Sequence, residues 1–110
     1  MKKRDLKKSI RYTCGEIASE AAFTGAVMNG GDLDLMAQVI IDAARLQAKS
    51  LEKVSVSFDR LPKDFADKAE YRKARHAYYK KAYAALVEEF NKQLAEIVKK
   101  MNSALPKVEE

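Results

Sequence analysis

Tryptophan is absent from this 110-residue chain, and cysteine and histidine occur once each, as Cys14 and His76. A single cysteine excludes an internal disulfide and agrees with a reducing compartment. One cysteine and one histidine cannot build a typical zinc site. The Glu-x-x-His pair of di-iron bundles is missing as well, because Lys73 stands three residues before His76. Long apolar runs are also lacking. Val39-Ile40-Ile41 is the longest run of large aliphatics, far below the roughly 20 residues of a membrane-spanning helix. No apolar segment follows Met1-Lys2-Lys3-Arg4, so the opening does not read as a secretory signal. The expectation is a cytoplasmic protein without membrane contact. Glycine is scarce, and Gly30-Gly31 lacks the Lys-Ser/Thr that would complete a phosphate-cradling loop. No cofactor and no metal are expected.

What remains is 47% hydrophobic and 34% charged, a globular mixture rich in helix-forming residues. The length suits one domain over residues 1–110 with one core of modest size. Basic residues number 21 and acidic residues 16, a formal charge of +5 that permits attraction to anionic partners without requiring it.

Apolar residues recur at three- and four-residue steps in three segments. The first, about residues 5–28, carries Leu6, Ile10, Cys14, Ile17, Ala21, Thr24 and Met28 and stops at Asn29-Gly30-Gly31. The second, about 32–53, has Asp32 as N-cap and the seam Leu33, Met36, Ile40, Ala43, Gln47, Leu51 and Val54. Residues 54–61 form a linker, in which Val54 to Phe58 alternate apolar and polar; an extended linker is the simpler reading, and a strand paired across a dimer the other. The third segment, about 62–105, has no glycine or proline after Pro62 until Pro106, and Asp64 and Asp67 sit in its first turns. Residues 106–110 form a tail. The predicted fold is all-α: an antiparallel helical hairpin and a long third helix.

The lengths do not match. The first two helices are about 35 Å long and the third about 60 Å. If the third helix turns back at once, its first half covers the hairpin and its aliphatic second half projects. Phe90, Leu94, Ile97, Val98, Met101 and Leu105 then become the interface of a homodimer, unless a break near residues 82–91 folds the chain into a four-helix monomer.

The same register places Glu20 level with Ile41 and Ile41 level with Arg75, so that Glu20, Arg72, Arg75, His76 and Tyr79 converge. Such a cluster is either a small anion or ligand pocket titrated by His76 or a buried structural ion pair. Between Tyr71 and Val87 there is no acidic residue, while basic residues interleave with tyrosines, which suggests nucleic-acid binding; the charges scatter around the helix, however, and a solvated face plus core tyrosines is the simpler reading. Lys73 and Lys80 share one helix face there. Lys2, Lys3 and Arg4 form a second basic group at a helix N-terminus, where positive charge is unfavourable and invites an anion. Cys14 and His76 are the only nucleophile and base of an enzyme reading, and nothing supplies a third, orienting group.

The opening Lys2-Lys3-Arg4-Asp5-Leu6-Lys7-Lys8-Ser9-Ile10, with Tyr12-Thr13-Cys14-Gly15-Glu16 after it, resembles the N-termini of small uncharacterised helical proteins of Bacteroides-type bacteria. The resemblance covers about fifteen residues. It implies a bacterial cytoplasmic protein and no activity. The expected function is a non-enzymatic helical interaction protein that forms a homodimer, with a further protein partner open; the alternative is a basic protein associated with nucleic acid.

Overall fold

The apolar steps of the first segment become a buried stripe, whereas in the second the stripe runs through Val39, Leu46 and Ser50 in place of the expected Ile40, Gln47 and Leu51, and Leu33 is exposed. Leu6, Ile10, Cys14, Ile17 and Ala21 line one side of α1 (Lys3–Val27), and Met36, Val39, Ala43, Leu46, Ser50 and Val54 line one side of α2 (Leu33–Val54). In the computed structural model, which describes residues 2–106, these stripes meet the C-terminal half of α3 (Lys68–Ala104). Residues 107–110 of the expected tail lie outside the described residues. The fold is all-helical, with no strand among the described residues, and α2 is the central helix, packed against both α1 and α3.

Local signals explain most of the boundaries. The Asp32 carboxylate accepts the Leu35 N–H at 2.9 Å and starts α2 as expected. The third helix begins later than its sequence suggests. Pro62–Asp64 form a separate 3-10 turn, in which the Asp64 carboxylate accepts the Leu61 N–H at 2.9 Å. Asp67 then acts as N-cap of α3, accepting the Glu70 N–H at 2.8 Å, so it lies outside the helix. From Lys68 to Ala104 the helix is unbroken over 37 residues.

The hairpin register is the expected one, since Gly25 lies against Met36. The register of α3 is not. The Ala104 carbonyl accepts the Asp32 N–H at 2.9 Å, and Lys100 pairs with Asp42 at 2.6 Å. Thus α2 faces residues 86–104 of α3, and the other half of α3 projects. Phe90, Ile97 and Met101 are buried in the chain's own core, Leu94 and Val98 pack against it, and Leu105 alone stays exposed. Five of the six residues expected to form a dimer interface therefore pack on the chain's own hairpin, and neither the projecting aliphatic half nor the alternative break occurs.

Magnitudes decide which interaction sets this register. Burying each large apolar side chain contributes about 1.5–3 kcal/mol. A solvent-accessible ion pair contributes about 0–1 kcal/mol. Lys100 donates a hydrogen bond to Asp42 and holds its carboxyl below the usual range, but both side chains remain accessible. Apolar burial fixes the register, and the ion pair follows it. The result is elongated: the Cα radius of gyration is 19.2 Å and the longest extent 68 Å, against about 13 Å expected for the radius of a compact domain of this length.

The hairpin loop is fitted closely to the end of α3. Gly30 and Gly31 have φ of +94° and +81°. A Cβ on Gly31 would stand 2.6 Å from the Ala104 carbonyl oxygen, whereas one on Gly30 would meet only Pro106, at 3.9 Å. Replacing Gly30 with alanine should cost about 1–2 kcal/mol through backbone strain alone. Gly31→Ala should cost about 1 kcal/mol more by disrupting the Asp32–Ala104 hydrogen bond. Urea denaturation of the two variants measures the difference, and equal losses would mean that α3 does not dock on this loop.

Candidate functional site: a basic, tyrosine-lined shelf

Beyond the hairpin, the stripe of α3 that faces the core continues without its partners. At 100° per residue, Tyr83, Tyr79, His76 and Arg72 lie on the line that carries Leu86, Phe90, Ile97 and Met101 within the core. The seam is aliphatic where the hairpin covers it and polar and aromatic where the hairpin ends. This exposed continuation forms a shelf of about 18 Å from Tyr71 to Tyr83.

The linker supplies one bank. After Val54 the chain runs outward along α3 instead of turning back, and the Phe58 N–H donates to the Tyr79 hydroxyl at 3.1 Å. The Tyr83 hydroxyl makes a longer contact of 3.5 Å to the Val54 carbonyl. Phe58 packs on Phe65, Tyr71 and Tyr78 with ring centroids 5.3–6.2 Å apart, and Tyr79 is 5.6 Å from Tyr83. These tilted contacts suit the electrostatics of aromatic rings. Burial pushes the Tyr83 phenol above its ordinary value; Tyr79 adds to the shift and Arg75 opposes it.

Two open grooves share His76 and Tyr79. One, of about 500 Å³, is lined by Tyr71, Arg72, Arg75, His76 and Tyr79. The other, of about 610 Å³, adds Lys80 and Tyr83 on α3, Leu6 on α1, and Glu88 at its far end. The Arg75 guanidinium lies 5.0 Å from the Tyr79 ring centroid, a cation–π contact. Leu6 brings the start of α1 to the inner end of the shelf. Lys2, Lys3 and Arg4 precede Leu6 by one turn, and Leu6 lines the groove that Lys80 also lines, while Lys73 shares the Lys80 side of α3.

Two basic segments distant in sequence therefore converge. Residues 2–11 and 71–87 together hold eleven basic residues and one acidic; the rest of the chain holds ten basic and fifteen acidic. The linker and first turn of α3, residues 55–70, lie at the same end and add three basic and four acidic residues, so the overall charge of +5 conceals one end near +9 and a remainder near −4. Neither the convergence nor the linker's aromatic bank, Phe58 and Phe65, was readable without the register of α3. The signal in the sequence was the continuity of the seam through Tyr79 and Tyr83.

Four of the five expected cluster members, Arg72, Arg75, His76 and Tyr79, do come together. Glu20 does not join them. It is exposed on α1, level with Ile41 and so with the Lys100–Asp42 pair, about 36 Å along α3 from His76. The buried ion pair it was expected to complete is absent, and the cationic cluster stands at the surface. Cys14 lies among buried residues at 2% exposure, and burial raises its thiol pKa. His76 is exposed on the projecting half, so the two do not meet.

No group of three or more potential metal ligands occurs among the described residues, and no helix there is long and apolar enough to cross a membrane. Comparison of the chain with family models, with curated proteins and with solved structures gives no match.

The placement of Cys14 has a direct consequence. A buried, protonated thiol reacts slowly with disulfide reagents. In native protein, Cys14 should react with an aromatic disulfide reagent only as fast as the chain opens, and immediately in denaturant. Rapid native reaction would place Cys14 outside the core.

Proposed function

We propose that the protein is a non-enzymatic interaction protein whose partner is nucleic acid, bound at the basic, tyrosine-lined end. One observation carries this reading: residues 2–11 and 71–87 gather eleven basic side chains against a single acidic one beside half-exposed tyrosines. A surface of this kind raises the local concentration of polyanions and releases their counterions on contact. The linker adds Asp59, Asp64, Asp67 and Glu70 to this end against Arg60, Lys63 and Lys68; Asp64 and Asp67 are engaged by backbone N–H groups, and the end remains strongly basic. Homodimerisation through the aliphatic half of α3 is not part of the proposal, because five of those six side chains pack against the chain's own hairpin.

The test is fluorescence anisotropy with labelled DNA and RNA across a salt series. If about five phosphates are engaged, log K should fall linearly with log salt, with slopes of about −3.5 for single strands and about −4.5 for duplex. Lys3→Glu with Lys80→Glu should weaken binding at least about tenfold and flatten the slope, whereas Lys49→Glu, on α2 away from the shelf, should change little. Absence of salt-dependent binding to either nucleic acid, together with purified protein that carries no excess absorbance at 260 nm, would refute the proposal.

A further inference from the structure

We infer that the shelf takes single-stranded nucleic acid in preference to duplex, with Tyr79 as a stacking platform for a base; this rests on the nucleic-acid reading above. The first ground is shape. A bare helix, about 10–12 Å across, fits the major groove of about 12 Å. The projecting half of α3 is not bare. The linker runs along one flank, fixed by the Phe58–Tyr79 hydrogen bond and the Phe58 aromatic contacts, and the start of α1 closes the inner end at Leu6. An arm thickened in this way cannot enter the groove to its floor.

The second ground is how the aromatic rings are held. A stacking platform needs a ring whose face is open and whose orientation is fixed before the base arrives. Tyr79 meets the second condition and, with Arg75 over its ring and Tyr78 and Tyr83 at 5.3 and 5.6 Å, meets the first where the ring borders the grooves. Its hydroxyl is tied to the linker while its ring lines both grooves. Arg75 against that ring supplies a planar cation able to lie against a base or a phosphate. The shelf of about 18 Å holds about five nucleotides at the 3.4 Å spacing of a stacked strand. Arg72 and Lys80 line it, and Leu6 brings the basic start of α1 to its inner end.

The experiment compares an oligothymidine, a mixed-sequence single strand of the same length, and its duplex, with wild-type protein and with Tyr79→Phe and Tyr79→Leu. Both single strands should bind at least about tenfold more tightly than the duplex. Tyr79→Phe, which keeps the ring but loses its tie to the linker, should lose clearly less than Tyr79→Leu. Tyr79→Leu should lose at least about fivefold on single strands, with an unchanged salt slope and little loss on duplex. Equal or tighter duplex binding would overturn the preference and leave the nucleic-acid reading standing. Equal losses in Tyr79→Phe and Tyr79→Leu would overturn the stacking role. Binding to none of the three would remove both this inference and the reading beneath it.

Discussion

Burial of the aliphatic seam of α3 against the hairpin is the interaction on which the rest of the molecule depends. Leu86, Phe90, Ile97, Met101 and Ala104 enter the groove between α1 and α2, and once they are there the helix has no freedom to slide. A shift by one turn would replace aliphatic contacts with Tyr83 at one end and move Ala104 away from the Asp32 N–H at the other. The close fit at Gly31 belongs to the same constraint, because backbone meets backbone there. The Lys100–Asp42 pair then falls into place across α2 and α3.

Everything unusual about the shape follows from that register. The hairpin occupies only the last part of a 37-residue helix, so the first half must extend beyond it. There the seam changes chemistry, from aliphatic side chains to Tyr83, Tyr79, His76 and Arg72. Exposure of these polar and aromatic groups is tolerable, whereas exposure of the aliphatic half would leave a large apolar patch in water. The start of α1 arrives at the same level and adds its lysines. Charge that is dispersed along the sequence is thereby concentrated at one end of the fold.

Much of the fold was legible in the sequence. Helical periodicity located α1 and α2 to within two residues, and Asp32 marked the start of α2 because an aspartate before an apolar run has few other roles. The start of α3 was misplaced because Asp64 and Asp67 look equivalent in one dimension, although one serves the 3-10 turn and the other caps the helix. The difference in character between the two halves of α3 was also readable, but their assignment was reversed. That reversal came from assuming that the chain turns back directly after α2. Thirteen residues lie between Val54 and Lys68, and an extended linker of that length reaches about 40 Å. It carries the chain outward along the arm before α3 begins. Comparing the cost of exposing aliphatics with that of exposing tyrosine, arginine and histidine would have favoured the observed arrangement. Arg72, Arg75, His76 and Tyr79 were recognisable as a group by helical spacing alone, whereas Glu20 depended on the register and was misplaced with it.

Amide hydrogen exchange along α3, resolved by peptide fragment, tests the register most directly. Residues 86–104, covered by the hairpin, should exchange only on global opening, while residues 68–82, flanked by the linker alone, should exchange faster by local opening. The reverse order, with residues 68–82 the better protected half, would contradict the register and with it the exposed shelf.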